Sequence, residues 1–597
     1  MPRPRDNQPH LPEPNRPEPR ARRVTERLTV EHDVVVLKFG SSILAHEGTI
    51  ADAVHEVYRE VRSGRRVVVV CSAMGNTTDD LAKRAGEITD KPHPAAYAAL
   101  LAVGESHSAA QVALAIDAAG MPAILLDPAQ IDLRTHGDPV NAEPVSMDAS
   151  PIKREIEAGN VVVLPGFAGR DERGFTTLLG RGGSDLTALF VAHHCGATRC
   201  RLVKDVDGWY DADPKSAGAR KYAHLSYADA IASPAQIVQS KCVEYACKHA
   251  MVIEVGALGS VAPSVVGEGE STLVAPHATP RPVRVAMLGL GTVGGGVMRH
   301  MLSAPDRYDI RRVLVRDPSK YADKLEDASI LCQDADAVFA DDPELVVELI
   351  GGTSLAGDLL ERALDRGCSV VTANKALMAR DGVRLRALAD TRGAKLLDSA
   401  AVGGSVPMLE AVRRLAAHRE IVSLAGVLNG TTNFILDQMA RDSRYDEALA
   451  EAQRLGFAEA DPTADVGGFD AAQKLCLLCR VAWDPALPED SVEVTGIESL
   501  AQNAPDVDRG HVRRLVARAS RNGDGAVLAR VALEPVPEGS ELARAHDEQN
   551  VLIVQLGDGR REVVKGRGAG RWPTAEAVFA DTEQVVRALQ PRLAPAQ

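Results

Sequence analysis

Residues 456–474 read G-F-A-E-A-D-P-T-A-D-V-G-G-F-D-A-A-Q-K and set four carboxylates ahead of a lysine that heads an apolar run, Leu475-Cys476-Leu477-Leu478. Asp470 and Lys474 are four residues apart, so a helix starting near Phe469 puts them on one face, where the carboxylate can hold the ammonium in place. A lysine partly desolvated by apolar neighbours can move a proton near neutral pH. The stretch is therefore a candidate site. The plainer alternative is a solvated acidic loop capping an ordinary helix.

A second constellation is Gly289-Leu290-Gly291-Thr292-Val293-Gly294. It follows a buried-strand pattern, Arg284 to Leu288, and runs into a helical G-G-V-M-R-H-M-L. Glycines at Gly289, Gly291 and Gly294 let a backbone turn tightly and approach a pyrophosphate, whose charge then meets the free N–H groups at the helix start, Thr292 and Val293. A further strand, Arg312 to Val315, ends on Arg316-Asp317. An acid here suits the ribose hydroxyls of NAD and a base the 2′-phosphate of NADP. Both are present, and Arg316 with Lys320 in the same turn tilts the reading toward NADP; a solvated basic turn is the alternative.

These residues need a frame. The 597 residues exceed one core, and 25% charged with 45% hydrophobic residues is globular usage. β-branched runs at Val34 to Leu37, Val67 to Val70 and Val161 to Leu164 alternate with helical segments, the mark of an α/β layer on a mainly parallel sheet. We expect a disordered Pro/Arg-rich tail (1–30), a first α/β unit (31–262), a Gly/Pro linker (263–282), a Rossmann unit (283–405), an α+β unit (406–565) and a closing segment (566–597) that returns to the cofactor unit. The net charge of -14 argues against nucleic acid. No apolar run is expected to reach membrane-spanning length, and the opening residues lack the apolar stretch of a secretory signal. Nine scattered cysteines fit a reducing cytoplasm, with Cys476 and Cys479 as core packing.

The 456–474 stretch resembles the signature of homoserine dehydrogenase, with the same order of Glu, Asp-Pro, Asp, Gly, Asp and Lys. E-L-I-G-G-T at 348–353, V-V-T-A-N-K-A at 370–376, G-V-L-N-G-T-T-N-F-I-L at 426–436 and G-R-G-A-G-R-W-P-T-A at 566–575 are similar to further segments of that family, in order. The resemblance implies hydride transfer between a nicotinamide and aspartate 4-semialdehyde. Lys474 and Lys375 would lie at the reacting centre, one as proton donor and base and the other in support, with Asp470 orienting Lys474. Glu459 and Asp465 would hold the substrate ammonium, and Lys375 and Gly570 would also touch the cofactor. Ser399 to Pro407 is similar to a monovalent-cation loop, implying Na+ or K+ on the main-chain carbonyls of Ser399, Val402, Gly404 and Val406, although many members have Glu where Ser399 stands.

Val36-Leu37-Lys38-Phe39-Gly40-Ser41-Ser42 resembles the opening of aspartate kinase in the amino-acid kinase fold. Ser72 to Gly75, Gly104-Glu105-Ser106, Gly180 to Asp185 and Asp205 to Lys215 follow in family order. By that resemblance Lys38, Gly40 and Ser41 serve the phosphates of ATP with Mg2+, Glu105 meets the aspartate ammonium and Arg181 its carboxylate, Asp185 joins the same polar site, and Asp205, Tyr210 and Lys215 lie along the nucleotide. Ser41 replaces a glycine, Lys204 stands where Thr is common, and Gln236 falls where a lysine is usual. The two resemblances together imply a cytoplasmic, homo-oligomeric, bifunctional enzyme; the alternative is a dehydrogenase with a degenerate kinase-like module. With only about twenty residues between Ala262 and Val283, and few after the closing G-R-G-A-G helix, we expect no regulatory ACT domains.

Overall fold

A computed structural model describes residues 32–216, 218–274, 281–501, 508–568 and 571–590. The expected tail (1–30) and Gly570 lie outside the described residues.

The first sheet is built on β1 (Val34–Phe39), β2 (Arg66–Cys71), β3 (Val161–Pro165) and β4 (Arg199–Val203), paired parallel in the order β4-β1-β2-β3. Their near-continuous Val and Leu content suits strands covered on both faces. The helices α1 (Ile50–Arg62), α2 (Pro94–Ala118) and α3 (Gly183–Cys195) cover it. Two expectations are corrected here. Ser264–Gly267 and Thr272–Leu273 are strands of this same nine-stranded sheet, so the unit reaches 273 rather than fading at 262, and the first half of the expected linker belongs to the sheet. Strands this short, set among Gly, Ser and Glu, carry too little apolar pattern to be read locally. Helix α2, at 25 residues, is also apolar and long enough by composition to cross a membrane, contrary to the reading of the sequence. It packs on β2 and β3, and carries buried Glu105 and Ser108.

The second sheet has six parallel strands. β5 (Val283–Leu288), β6 (Tyr308–Leu314) and Leu331–Cys332 run out to one side, and β7 (Leu345–Glu348), β8 (Ser369–Thr372) and Leu396–Leu397 to the other. In chain order this is 3-2-1-4-5-6, the doubly wound dinucleotide-binding order, with the switch point between β5 and β7. Helix α4 (Thr292–Leu302) follows β5, and α5 (Lys375–Arg392) follows β8.

The third layer is a mainly antiparallel sheet. β9 (Ile421–Val427) lies between β10 (His511–Arg521) and a β-hairpin pair, β12 (Gln549–Leu556) and β13 (Arg561–Arg567), and β11 (Val527–Pro537) flanks β10. Helices α6 (Met408–Ala416), α7 (Gly430–Met439) and α8 (Phe469–Ala482) share the core beneath it. The last helix, α9 (Arg571–Leu589), lies along α4. Gly296 of α4 makes that approach possible, since a Cβ there would sit 2.9 Å from the Ala575 Cβ.

The first two units share a single apolar core, in which Leu37, Val54 and Val57 meet Met287, Val297 and Val578. A buried polar cluster crosses the same seam. His55 of α1 bonds Glu576 of α9 at 2.5 Å, His300 of α4 bonds Glu576 at 3.1 Å, and Arg307 pairs with Glu583 at 2.9 Å. Burial alone would lower the His55 pKa, but Glu576 and Glu583 carry it up to about 9. Glu576 is itself held down to about 2, against its burial, by His55 and His300. A histidine with a raised folded pKa stabilises fully below its ordinary range and loses that contribution as pH climbs through the folded value. The carboxylate behaves oppositely, losing its contribution only as pH falls toward about 2. The seam is therefore expected to weaken between about pH 6.5 and about pH 9. His55→Gln should lose less melting temperature over that interval than wild type, as followed by calorimetry; equal slopes would remove His55 from the effect.

Candidate functional site

Helix α8 begins at Phe469, behind Gly468 in the left-handed region (φ 83°). Asp470 in its first turn is buried, and one carboxylate oxygen lies 2.9 Å from Lys474 Nζ one turn on. The same oxygen accepts from Asn429 Nδ2 at 2.9 Å, and the other is bonded by Lys375 Nζ. Lys474 Nζ also donates to the Leu428 carbonyl at 2.6 Å. Two lysines from two domains thus converge on one carboxylate, and Asp470 holds both. Burial would raise the Asp470 pKa, but Lys474 and Lys375 drive it far below the usual carboxylate range. Asp465 stands alongside, bonded by Asn429 Nδ2 at 2.6 Å and Thr431 Oγ1 at 3.3 Å. Burial, and then the Asp470 charge, push its pKa up against these bonds. Glu459 differs: it is exposed, and among the described residues its backbone carbonyl accepts from Gln453 Nε2 at 3.1 Å.

Lys375 opens α5, whose start is capped by Asn374: the Asn374 side-chain oxygen accepts from Leu377 N at 3.1 Å, and its amide donates to the Gly352 carbonyl at 2.6 Å. Buried Glu348, at the end of β7, accepts from the N–H groups of Ile350 and Gly351 and from the Thr372 hydroxyl. Asn429 and Glu348 were not singled out in the sequence. Asn429 also caps α7 through Thr432 N at 2.8 Å, and an asparagine just ahead of a helix reads as a cap and nothing more.

The glycine turn has the form that a pyrophosphate needs. Gly289 has φ 99°, and a Cβ there would meet the Leu349 carbonyl at 2.8 Å; one on Gly294 would meet the Gly289 carbonyl at 2.4 Å. Gly291 faces open space at the exposed start of α4, beside Thr292 and Val293. Arg316 and Lys320 are exposed beyond β6, whereas the Asp317 carboxylate is turned onto Ser319, accepting from its hydroxyl at 2.6 Å and its N–H at 3.1 Å. In the candidate cation loop, Gly403 and Gly404 both have positive φ, and the carbonyls of Ser399 and Val406 already accept from Val402 N and Met408 N. Asp581 accepts from Ser399 N at 2.9 Å and is bonded by Arg62 of α1.

In the first unit, Lys38, the last residue but one of β1, has Nζ 2.8 Å from one Asp185 oxygen, and Lys204 Nζ lies 2.8 Å from the other. All three sit at the carboxyl end of the sheet. Despite burial, the two lysines lower the Asp185 pKa, while burial and Lys38 lower that of Lys204. Lys204 stood out in the sequence as a departure, and the fold makes it the second cation of this cluster. Glu105 is buried nearby with one oxygen unpartnered, and burial lifts its pKa to about 7. Arg181, Ser41, Asp205 and Lys215 are exposed and stand apart from the cluster's bonds, and Tyr210 donates to Asp207 at 2.7 Å. Gly40 is tight, since a Cβ would come 3.3 Å from Lys38 Nζ. Among the described residues no group of three His, Cys, Asp or Glu side chains is disposed to hold a metal.

Comparison with known proteins falls along the same division. A family model described as homoserine dehydrogenase matches residues 407–582, and one for the homoserine dehydrogenase NAD binding domain matches 289–397. The homoserine dehydrogenase of Corynebacterium glutamicum is 38% identical over 323 residues, 51% of this chain and 72% of that protein. The chain belongs to the homoserine dehydrogenase family. A second relative of that name, from Bacillus subtilis, is 35% identical over 51% of this chain and 73% of its own. A solved homoserine dehydrogenase from Thiobacillus denitrificans is 35% identical, with a TM-score of 0.49 over 52% of this chain and 74% of its own. Residues 33–251 match the amino acid kinase family, so this homoserine dehydrogenase family member carries a kinase-type domain ahead of its cofactor domain.

Proposed function

We propose that the carboxyl-terminal part interconverts L-homoserine and L-aspartate 4-semialdehyde with NADP or NAD, and that the amino-terminal part phosphorylates L-aspartate with ATP and Mg2+. The observation that carries the first reading is the convergence of Lys375 and Lys474 on buried Asp470 at the carboxyl edge of a glycine-fingerprint sheet. A bound nicotinamide supplies the hydride acceptor or donor. The chain supplies the rest. Lys474 as the neutral amine takes the hydroxyl proton of homoserine in the oxidising direction, and as the ammonium returns it to the developing alkoxide in the other. Asp470 fixes that lysine through an ion pair and a one-turn spacing, and Lys375 supports it. Asp465 and Glu459 take the substrate ammonium.

Exposed Arg316 and Lys320, together with an Asp317 carboxylate taken up by Ser319 and facing Lys320 at 3.9 Å, favour a 2′-phosphate over a bare ribose. Loss of a charge-assisted bond costs roughly 1.5–3 kcal/mol, so Arg316→Ala should raise KM for NADPH about tenfold or more and leave KM for NADH near wild type. A parallel rise for both coenzymes would remove Arg316 from coenzyme choice.

For the kinase reading, the support is Lys38 and Lys204 held about Asp185 beside buried Glu105. Aspartate brings its own carboxylate nucleophile, so positioning and charge neutralisation suffice. The cation loop of Ser399, Val402, Gly404 and Val406 is proposed to hold Na+ or K+, and the enzyme to work as a cytoplasmic homo-oligomer. The deciding experiment assays both half-reactions on purified protein with each coenzyme, and with MgATP and aspartate. Turnover in both establishes the bifunctional reading, and dehydrogenase turnover alone leaves a degenerate kinase-type module.

A further inference from the structure

Where the kinase-type unit meets the carboxyl-terminal part, α1, α6 and α9 enclose a cleft of about 530 Å³. Arg59, Arg62 and Arg65 line it from α1 and the turn after it, Arg413 and Arg414 from α6, and Arg587 from α9. Its acids are Glu60, Glu410 and Glu583. Six guanidinium groups and three carboxylates line it, and three more acids stand just behind the lining, Glu56 on Arg59, Asp581 on Arg62 and Glu562 on Arg414.

The acids are already committed. Glu60 accepts from Arg65 at 2.6 Å, Glu410 faces Arg62 at 3.1 Å, and Glu583 is shared among His55, Arg59, Arg307 and Arg587. Arg413 is exposed with no ion pair among the described residues, and Arg414 reaches Glu562 with one terminal nitrogen while its buried Nε has no partner. Burial, and then the neighbouring Arg59 and Arg307, lower the Arg587 pKa against the pull of Glu583. Arginine forks suit phosphoryl and carboxylate oxygens, and the volume falls in the range of small-molecule sites.

We propose that this cleft binds a compact small polyanion, a diphosphoryl or tricarboxylate group, apart from both candidate active sites. An anion there is held by all three structural units at once, so it stabilises their union.

The test is calorimetric titration of the full chain with inorganic pyrophosphate, with citrate in a second arm and KCl at matched ionic strength as control. The comparison variant is Arg413→Gln/Arg587→Gln, which changes two exposed positions outside both candidate centres. Wild type should bind one pyrophosphate that the variant binds at least about tenfold more weakly, with dehydrogenase kcat in the absence of added anion equal in the two proteins. Equal or tighter citrate binding, also lost in the variant, assigns the cleft to tricarboxylates. Undiminished binding of both anions by the variant overturns the proposal, because it places them elsewhere, as does wild-type heat no greater than the KCl control. Should the double variant melt more than a few degrees lower, Arg413→Gln alone is to show the same loss of affinity, and its failure to do so also overturns the proposal.

Discussion

Lys474→Ala is expected to cut homoserine oxidation by at least about a hundredfold, the usual cost of removing a positioned proton-transfer group. The expectation is specific because the rest of the cluster survives the change. Asp470 keeps Lys375 and Asn429 as partners, so no bare buried carboxylate remains. The Leu428 carbonyl loses the Lys474 donor, but the vacated space opens toward a side chain already 13% exposed, where water can replace it. The fold should therefore hold. Phosphorylation of aspartate, where it occurs, should stay within about a factor of two, since Lys474 is remote from β1 and α3. Steady-state rates on both substrates and a melting curve decide the matter. Normal oxidation in the variant removes Lys474 from the mechanism, and joint loss of both activities with a lowered melting temperature indicates a folding fault instead.

What could be read in the sequence was local. The glycine turn at 289–294 shows itself because the glycines, the strand before them and the helix after them are adjacent in the chain. The pairing of Asp470 with Lys474 follows from one helical turn, and the structure has it at 2.9 Å. The bond from Lys375 to the same carboxylate spans 95 residues and follows from no spacing rule. Asn429 was hidden by an ambiguity of chemistry, because its oxygen does the capping that the sequence suggests while its amide bridges Asp465 and Asp470. The seam between the units was hidden by distance: His55 and Glu576 lie 521 residues apart, and α1 reads as an ordinary amphipathic helix whose second partner lies near the other end of the chain. The boundary at 262 failed for a third reason. Four-residue strands such as Ser264–Gly267 take their stability from neighbouring strands rather than from their own pattern, so Gly and Ser around them look like a linker.

Lys38→Ala is expected to abolish aspartyl phosphate formation, read by trapping with hydroxylamine, while homoserine oxidation continues. Phosphoryl transfer relies on positioning and on cations at the transferred group, and Lys38 Nζ lies 2.8 Å from Asp185 at the carboxyl end of the sheet, where the phosphates would pass. The separation of the two effects comes from the pleat of β1. Val35, Leu37 and Phe39 point into the core shared with the cofactor domain, whereas Val36 lies in the kinase-type unit's own core, and Lys38 alternates onto the side of Val36. Removing its side chain leaves the seam with the dehydrogenase untouched. It also leaves Asp185 paired with Lys204, so the buried carboxylate keeps one cation and the unit stays folded. A variant that still forms hydroxamate at the wild-type rate would move the phosphate site away from Lys38. If the wild-type protein itself forms none from aspartate and MgATP over a range of pH, the kinase-type unit is catalytically silent. Suspicion then falls on Ser41, exposed where the phosphates would approach, and on Gln236, which puts a neutral side chain where a cation is usual.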